Sequence, residues 1–550
     1  MRNHGVLMPM SPRKRRRAAR AIRKRAFALS NNGTLPVHRN NGEEQEYIRD
    51  CGFPVTSYSK GMPHNARGEV SLADYEKLRH ALRSGEDADF SRIPIGTASP
   101  PGRRLLNPQA GLAFDLEVPD AQRITMRPAP RSDSRKGDAE MIELYWMALM
   151  RDVPFTSYAS GEGTPSAVAD VAAQELETYR DELDVPFIGG ITPRTLFRGR
   201  TRGDIKGPYI SQFLMHDFEF GPVHVLASRR SPVAGRDHLT NFAQWLAIQN
   251  GAQPVSGDVF ETTPHYIRNL RDLAHYSHMD PFFHAYVEAT LLIAPDGPRI
   301  LDPGNPYLMT PNQEGFVTFG GPAILTMIAE VTTRALKAMW FQKWNVHRKL
   351  RPEEYGGRVD VHRRQQAHYP VSAELLASEA HQRTLSQFGS SLLPQAYPEG
   401  CPMHPSYGAG HAAIAGACAT ILKAWVNENV PWTRRVLVPS ADGTSVIDYT
   451  GPDARMLTVG GEIDKLASNI ALGRCIGGVH WRSDYTEGLR LGECVALQVL
   501  AEHVLCFNER SFRFTLTDFD GNTQVIDSAD RRGLEARLAG SPVAAASAAS

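Results

Sequence analysis

Disulfide chemistry is thinly represented in this chain of 550 residues. Its six cysteines (Cys51, Cys401, Cys418, Cys475, Cys494, Cys506) form no CxxC pair and lack the density of a small cross-linked scaffold, so thiols buried as small hydrophobes are expected. Long apolar runs are missing too. None approaches the roughly 18–20 uncharged residues that span a bilayer, which excludes a membrane-spanning helix. A secretory signal is also lacking, because the basic start runs into Ala26-Phe27-Ala28-Leu29-Ser30-Asn31-Asn32 instead of an apolar stretch. The cytoplasm is therefore the default compartment. No internal repeat and no Pro- or Gly-rich linker breaks the helical region, which favours one large domain over several small ones. What is present, 42% hydrophobic and 22% charged residues, is ordinary globular composition.

The net charge of +1 conceals an asymmetry. Residues 1–25 carry ten Lys and Arg and no acid, and the remainder, with 51 basic against 60 acidic residues, stands at −9. Ala and Arg interspersed at helical spacing make this arm, residues 1–29, a solvated helix or a subunit-wrapping extension; polyanion or nucleic-acid binding is the minor alternative. Residues 30–130, rich in Gly, Pro, Asn and Asp, read as ordered loop around a few short helices, unable to build a core and draped over another. Apolar repeats predict helices at Ala139–Met150, Ala167–Leu183, Leu239–Asn250, Phe282–Ile293 and Ala323–Val346. Phe512, Phe514 and Leu516 alternate before Asp520-Gly521, with Val525-Ile526 beyond, which predicts a β-hairpin. The tail, residues 531–550, is expected to be disordered, being almost wholly Ala, Ser, Gly and Pro from Ala539 onward. The fold class is thus mainly α: a single helical-bundle domain over residues 30–530, with long loops and a small C-terminal hairpin.

Three segments near the C-terminal end concentrate cations and imidazoles. The first closes the long helix with Trp340, Lys343, His347, Arg348, Lys349 and Arg351 before Pro352, where proline is expected to stop the helix. The second, His404-Pro405-Ser406-Tyr407-Gly408-Ala409-Gly410-His411, is a glycine-bearing turn opening a helix of small residues. Its free N–H groups and positive dipole end suit an oxyanion, with His411 at the mouth. The third, Asn469 to Asp484, carries Arg474 before Gly477-Gly478 and His480 after it. Each has a purely structural explanation when taken alone: a solvated helix end, a capped turn, a paired buried arginine. Together, Lys343, Arg351 and Arg474 with a helix start would neutralise an oxyanion of charge about −2 to −3. His480 and His411 would divide covalent bonding and proton transfer between them.

At these residues the chain resembles the vanadium-dependent haloperoxidases, in particular their algal bromoperoxidase branch. That family shares its helical fold and anion-site signature with type 2 phosphatidic acid phosphatases and bacterial class A acid phosphatases. The phosphatase pattern places six residues between Lys and Arg-Pro, whereas seven separate Lys343 from Arg351-Pro352, as in the algal enzymes. The resemblance extends over roughly residues 20–530, through stretches such as His38-Arg39-Asn40-Asn41-Gly42-Glu43-Glu44, Lys60-Gly61-Met62-Pro63-His64-Asn65 and Gly207-Pro208-Tyr209-Ile210-Ser211-Gln212-Phe213-Leu214.

The resemblance implies a vanadate (+5) cofactor, held at its equatorial oxygens by Lys343, Arg351 and Arg474 and by the Gly410 N–H. His480 would be the axial ligand and His411 the acid–base group, while Lys343 polarises the bound peroxide. His404 stands where chloroperoxidases carry an aromatic residue, which implies bromide or iodide as the halide. Trp340 would line the halide side, Asp280 would pair with Arg474, and Asp484 would orient His480. Ala409 is a departure, because the family reads Pro-Ser-Gly-His where this chain has Gly408-Ala409-Gly410-His411; the lost serine bond to vanadate is worth about 1.5–3 kcal/mol. Hydrogen peroxide and halide would give hypohalous acid, which halogenates organic nucleophiles. A homo-oligomer, dimer or larger, is implied, and a structural calcium ion accompanies some relatives. Two other functions compete. One is a phosphatase forming a phosphohistidine on His480; the other is a non-enzymatic anion-binding or assembly protein working through the basic arm.

Overall fold

The computed structural model describes residues 11–31, 36–96, 102–115, 120–185 and 189–539. Within the arm, Pro12–Asn31 form helix α1, whose Lys and Arg side chains are exposed as far as Lys24, while Arg25 reaches back to Glu502. The first ten residues of the arm lie outside the described residues. Seven helices position the site: α2 (Arg135–Leu149), α3 (Leu270–Tyr276), α4 (Gly321–Phe341), α5 (Pro352–Arg363), α6 (Gly410–Trp425), α7 (Val459–Ile476) and α8 (Arg482–Cys506). Helix α6 runs through the centre against α4, α7 and α8. Its small-residue run lets α8 lie almost backbone to backbone with it. A Cβ on Gly492 would stand 1.9 Å from the Ala413 carbonyl oxygen, so no larger residue fits there. Buried pairs fix the start of α8 on α2, where Arg482 Nε donates to Glu143 at 2.7 Å and the Ser483 N–H to Glu140 at 2.7 Å.

Among the described residues the strands form antiparallel pairs. Two short ones, β1 (Phe218–Phe220) with β2 (Val223–Val225) and β3 (Leu437–Pro439) with β4 (Val446–Asp448), left no alternation long enough to read in the sequence. The anticipated hairpin is β5 (Arg513–Thr517) with β6 (Thr523–Asp527), in which buried Phe514 lies opposite buried Ile526 and stacks on Trp425.

Four expectations need correction. Residues 531–539 are not disordered: they form helix α9 (Arg531–Ala539), whose Leu534 and Leu538, one turn apart, are buried beside α8; residues 540–550 lie outside the described residues. The N-terminal loop segment does build a small core, of Tyr58, Met62, Val70, Tyr75, Leu78 and Leu82 around Trp344. Pro352 does not stop the long helix but opens α5 as its first residue, where its missing N–H costs nothing. Cys51 and Cys506 are exposed, so the buried-thiol expectation holds for Cys401, Cys418, Cys475 and Cys494, and none of the six is in a disulfide. Among the described residues no helix is long and apolar enough to cross a membrane.

Candidate active site

Helix α4 ends in a π-helical turn, Gln342–His347, closed by Arg348 in the left-handed region at φ 43°. A π-turn takes up about one residue more than an α-turn. The seventh residue between Lys343 and Arg351 is thereby accommodated without moving either side chain off the site. None of the four cations here is a solvated helix end. Arg348 donates to Glu44 at 2.7 and 2.8 Å, and Lys349 donates to the Pro130 carbonyl at 2.6 Å. Lys343 Nζ, fully buried, donates to the carbonyls of Pro405 (3.0 Å) and Ser406 (2.6 Å). Burial, joined by the like charges of Arg351 and Arg474, holds this ammonium well below its usual range.

Arg351 is the hub. Its Nε donates to the His404 carbonyl (2.9 Å), Nη2 to His404 Nδ1 (2.9 Å), and Nη1 to both the Val479 carbonyl (2.7 Å) and His480 Nε2 (2.8 Å). A guanidinium can only donate, so His480 Nε2 carries a lone pair. The proton sits on Nδ1 and is donated to Asp484 Oδ2 at 2.6 Å. Asp484 is fixed in turn by the Trp481 N–H at 3.1 Å and by the Ser406 hydroxyl. Burial, then Arg351, Lys343 and Arg474, push His480 well below the ordinary imidazole range, which keeps Nε2 free of a proton. The turn that delivers His480 between α7 and α8 requires Gly478 at φ 82°, where a side chain would also strike Gln395.

A cavity of about 500 Å³ opens onto these groups. Arg474, His404, His480, Gly410 and His411 line it together with Asp280, His278, Phe282 and Trp340. Arg474 donates from Nη1 to the Ser277 carbonyl at 3.2 Å, but its buried Nε has no partner among the described residues. Asp280 is held below the usual carboxylate range, its burial outweighed by His411, His284 and Arg474. It accepts from His411 Nε2 at 2.9 Å, which leaves His411 Nδ1 as the proton acceptor of that ring. Trp340 packs its ring 4.7 Å from that of His404 and donates its indole N–H to the Leu106 carbonyl.

The structure thus brings Lys343, Arg351, His404, Gly410, His411, Arg474, His480, Trp340, Asp280 and Asp484 to one place, with two corrections. Asp280 hydrogen-bonds His411 rather than Arg474, whose charge reaches it only through space. Ala409 does not offer a ligand its own N–H, which donates to the Asp484 carbonyl at 3.0 Å; the free donors are those of the following helix turn. Three supporting groups escaped the sequence reading. Ser406 holds Asp484, Lys60 lies buried on Glu353 at 2.8 Å, and Glu353 receives the Cys401 N–H, so the loop carrying His404 is pinned at both ends. Lys60 and Ser406 both lie in stretches singled out for their resemblance or chemistry, but nothing in the sequence pairs either with its acid.

Ala409 caps α6 without a side-chain bond. A serine hydroxyl there can accept from the first helical turn and donate to an anion. Ala409→Ser is therefore expected to raise the melting temperature through a cap of about 1 kcal/mol. It should also tighten vanadate binding about 10- to 100-fold. Thermal unfolding and equilibrium dialysis read the two effects separately.

Arg474, a helix start and two histidines of opposed tautomers around one cavity, with Arg351 and Lys343 buried next to them, define a helical-bundle enzyme of the oxyanion-binding kind, in which an imidazole can bond the anion's central atom. Comparison with known proteins agrees with that class. Residues 325–509 match the model of the VCPO second helical-bundle domain. The vanadium-dependent bromoperoxidase of Corallina pilulifera is 33% identical, covering 90% of this chain and 95% of the relative; that of Ascophyllum nodosum is 32% identical, covering 92% of each. The homohexameric structure of the second vanadate-dependent bromoperoxidase from Ascophyllum nodosum matches with a TM-score of 0.87 at 26% identity, over 96% of this chain and 93% of that one. The chain belongs to the vanadium-dependent bromoperoxidase family.

Proposed function

We propose that the protein is a vanadium-dependent haloperoxidase, oxidising bromide or iodide with hydrogen peroxide to hypohalous acid that then halogenates organic nucleophiles. The observation that carries this reading is His480 Nε2: a lone pair kept unprotonated beside Arg351, oriented by Asp484, and opening on a cavity whose Arg474 Nε lacks an acceptor. Those groups fit vanadate. His480 would ligate it, Arg351, Arg474 and Lys343 would balance its charge, and the α6 N–H groups would meet its oxygens. When bound, vanadate supplies a Lewis-acidic centre that activates hydrogen peroxide towards halide without changing its own oxidation state. The protein's share is proton handling and charge. His411 Nδ1 takes a proton from the entering peroxide and returns it, the imidazolium being stabilised through Nε2–H by Asp280. Lys343 would hold negative charge as it develops, once the bound anion offsets the burial and the like charges of Arg351 and Arg474 that disfavour its ammonium. His404, under Trp340 and bonded to Arg351, sets the halide side. The chain works as a homo-oligomer, with the exposed arm as an accessory surface.

The halide test uses bromide, iodide and chloride in turn with hydrogen peroxide and vanadate-loaded protein. Oxidation of the first two with chloride left untouched is expected; chloride turnover at a comparable rate contradicts the role given to His404.

The same charges set a pH dependence. A bound anion favours the Lys343 ammonium, which burial disfavours in the free protein, so binding takes up a proton once pH exceeds the free Lys343 value. Vanadate affinity should fall as pH rises through that value, by at most about 10-fold per unit. His480, depressed, stays neutral in mild acid, so affinity should persist there where an ordinary imidazole would protonate. Calorimetry in buffers of different ionisation heat reads the proton uptake.

A further inference from the structure

Outside the anion site, Asp258, His275 and His278 each bring one donor atom to within 4.8 Å of the others. His275 and His278 stand three residues apart at the end of α3, and Asp258 comes from the loop before it. The tautomer of His278 is settled by its second partner. Its Nε2 lies 2.7 Å from Glu399 Oε1, a carboxylate oxygen that accepts. The proton therefore sits on Nε2. Nδ1 is left as a bare lone pair, buried and without a partner among the described residues. A carboxylate behind an imidazole whose other nitrogen is free is the arrangement that orients histidine ligands on a metal. His238 Nε2 lies 3.9 Å from Asp258 Oδ1, outside the three-residue group.

We propose that Asp258, His275 and His278 form a second metal site, taking a divalent transition cation of the zinc class, with Glu399 as the positioning residue for His278. Two imidazoles and one carboxylate suit such an ion and not calcium, which takes six to eight oxygens. Donor atoms on one zinc ion stand ~3.4 Å apart, given bonds of about 2.0–2.2 Å in a tetrahedron, so a closure of at most ~1.4 Å completes the set. The opposing charges are Arg230, which lies over the Phe260 ring beside His275, and Arg271, whose charge reaches Asp258.

The site adjoins the catalytic cavity through its own ligand. His278 lines that cavity and stacks on Tyr397 at 3.9 Å, and Tyr397 lies under the Arg474 guanidinium at 5.1 Å. Two residues on from His278, Asp280 holds His411. A cation here fixes the wall that carries both Arg474 and the acid–base pair. The inference rests on these residues and not on the haloperoxidase reading.

The test titrates zinc chloride into chelator-stripped full-length protein, with bound metal counted after gel filtration and cobalt(II) as the spectroscopic probe. One zinc per chain is expected in the wild type and equally in His480→Ala, which removes the vanadate ligand. Asp258→Asn and His275→Gln should each weaken binding at least 10-fold and abolish the tetrahedral cobalt spectrum. Glu399→Gln should weaken binding roughly 10- to 100-fold while keeping that spectrum. Should His275→Gln fail to fold, Asp258→Asn, on a half-buried loop, decides alone. Unchanged stoichiometry and affinity in Asp258→Asn, zinc lost with His480→Ala, or no binding below millimolar zinc would each overturn the proposal.

Discussion

His480→Ala is expected to abolish halide oxidation and to weaken vanadate binding by at least about 100-fold, with the chain still folded. The substitution removes the Nε2 lone pair that Asp484 orients beside Arg351 at the cavity wall. The lone pair of His411 belongs to a ring that Asp280 fixes through Nε2 for proton transfer. A 100-fold loss of affinity corresponds to ~2.7 kcal/mol, which removal of one directly bonded ligand supplies. Arg351 keeps three acceptors (the His404 carbonyl, His404 Nδ1 and the Val479 carbonyl), and Asp484 keeps Ser406 and the Trp481 N–H. The fold should therefore survive with a modest fall in melting temperature. Vanadate dialysis, circular dichroism and a bromide assay on one preparation separate these effects. Residual affinity within 10-fold of wild type would remove His480 from the ligand position.

His411→Ala should separate binding from turnover. His411 sits in the first turn of α6, and its role is to take and return a proton at Nδ1. General acid–base groups contribute about 10²–10⁴-fold, so kcat should fall by that factor while vanadate affinity changes less than about 10-fold. Asp280→Asn tests the tautomer. An amide can donate as well as accept, so it no longer holds the proton on His411 Nε2, and kcat should fall by a smaller factor with KM for bromide unchanged. A fall confined to KM would place the pair in halide binding and not in proton transfer.

How much of this could be read from residues alone depended on which interaction was at stake. Long amphipathic runs located α4 and the hairpin β5–β6, because their periodicity extends over enough residues to be seen. The three-residue strands β1 to β4 left no such trace. At the site, the seven-residue interval from Lys343 to Arg351 was visible as spacing, but its cause, a π-turn closed by Arg348 in the left-handed region, is a tertiary property. The acids were the harder part. Glu44 on Arg348, Glu353 on Lys60, and Asp280 on His411 rather than Arg474 are pairings across 304, 293 and 131 residues. No local pattern reports them, since each exists only once the bundle has closed. For the same reason the Ala409 N–H could not be seen to donate to the Asp484 carbonyl, and the tail's Leu534–Leu538 stripe was hidden by the Ala- and Ser-rich residues after it.

The most direct test of the account is a reconstitution titration. Protein stripped of vanadium by a chelator is assayed for bromide oxidation with hydrogen peroxide as orthovanadate is added stepwise. Activity that is absent at the start and rises to a plateau at one vanadate per chain is the predicted result. No halide oxidation at any vanadate concentration, together with hydrolysis of a phosphate ester by the stripped protein, would contradict it and assign His480 to phosphoryl transfer.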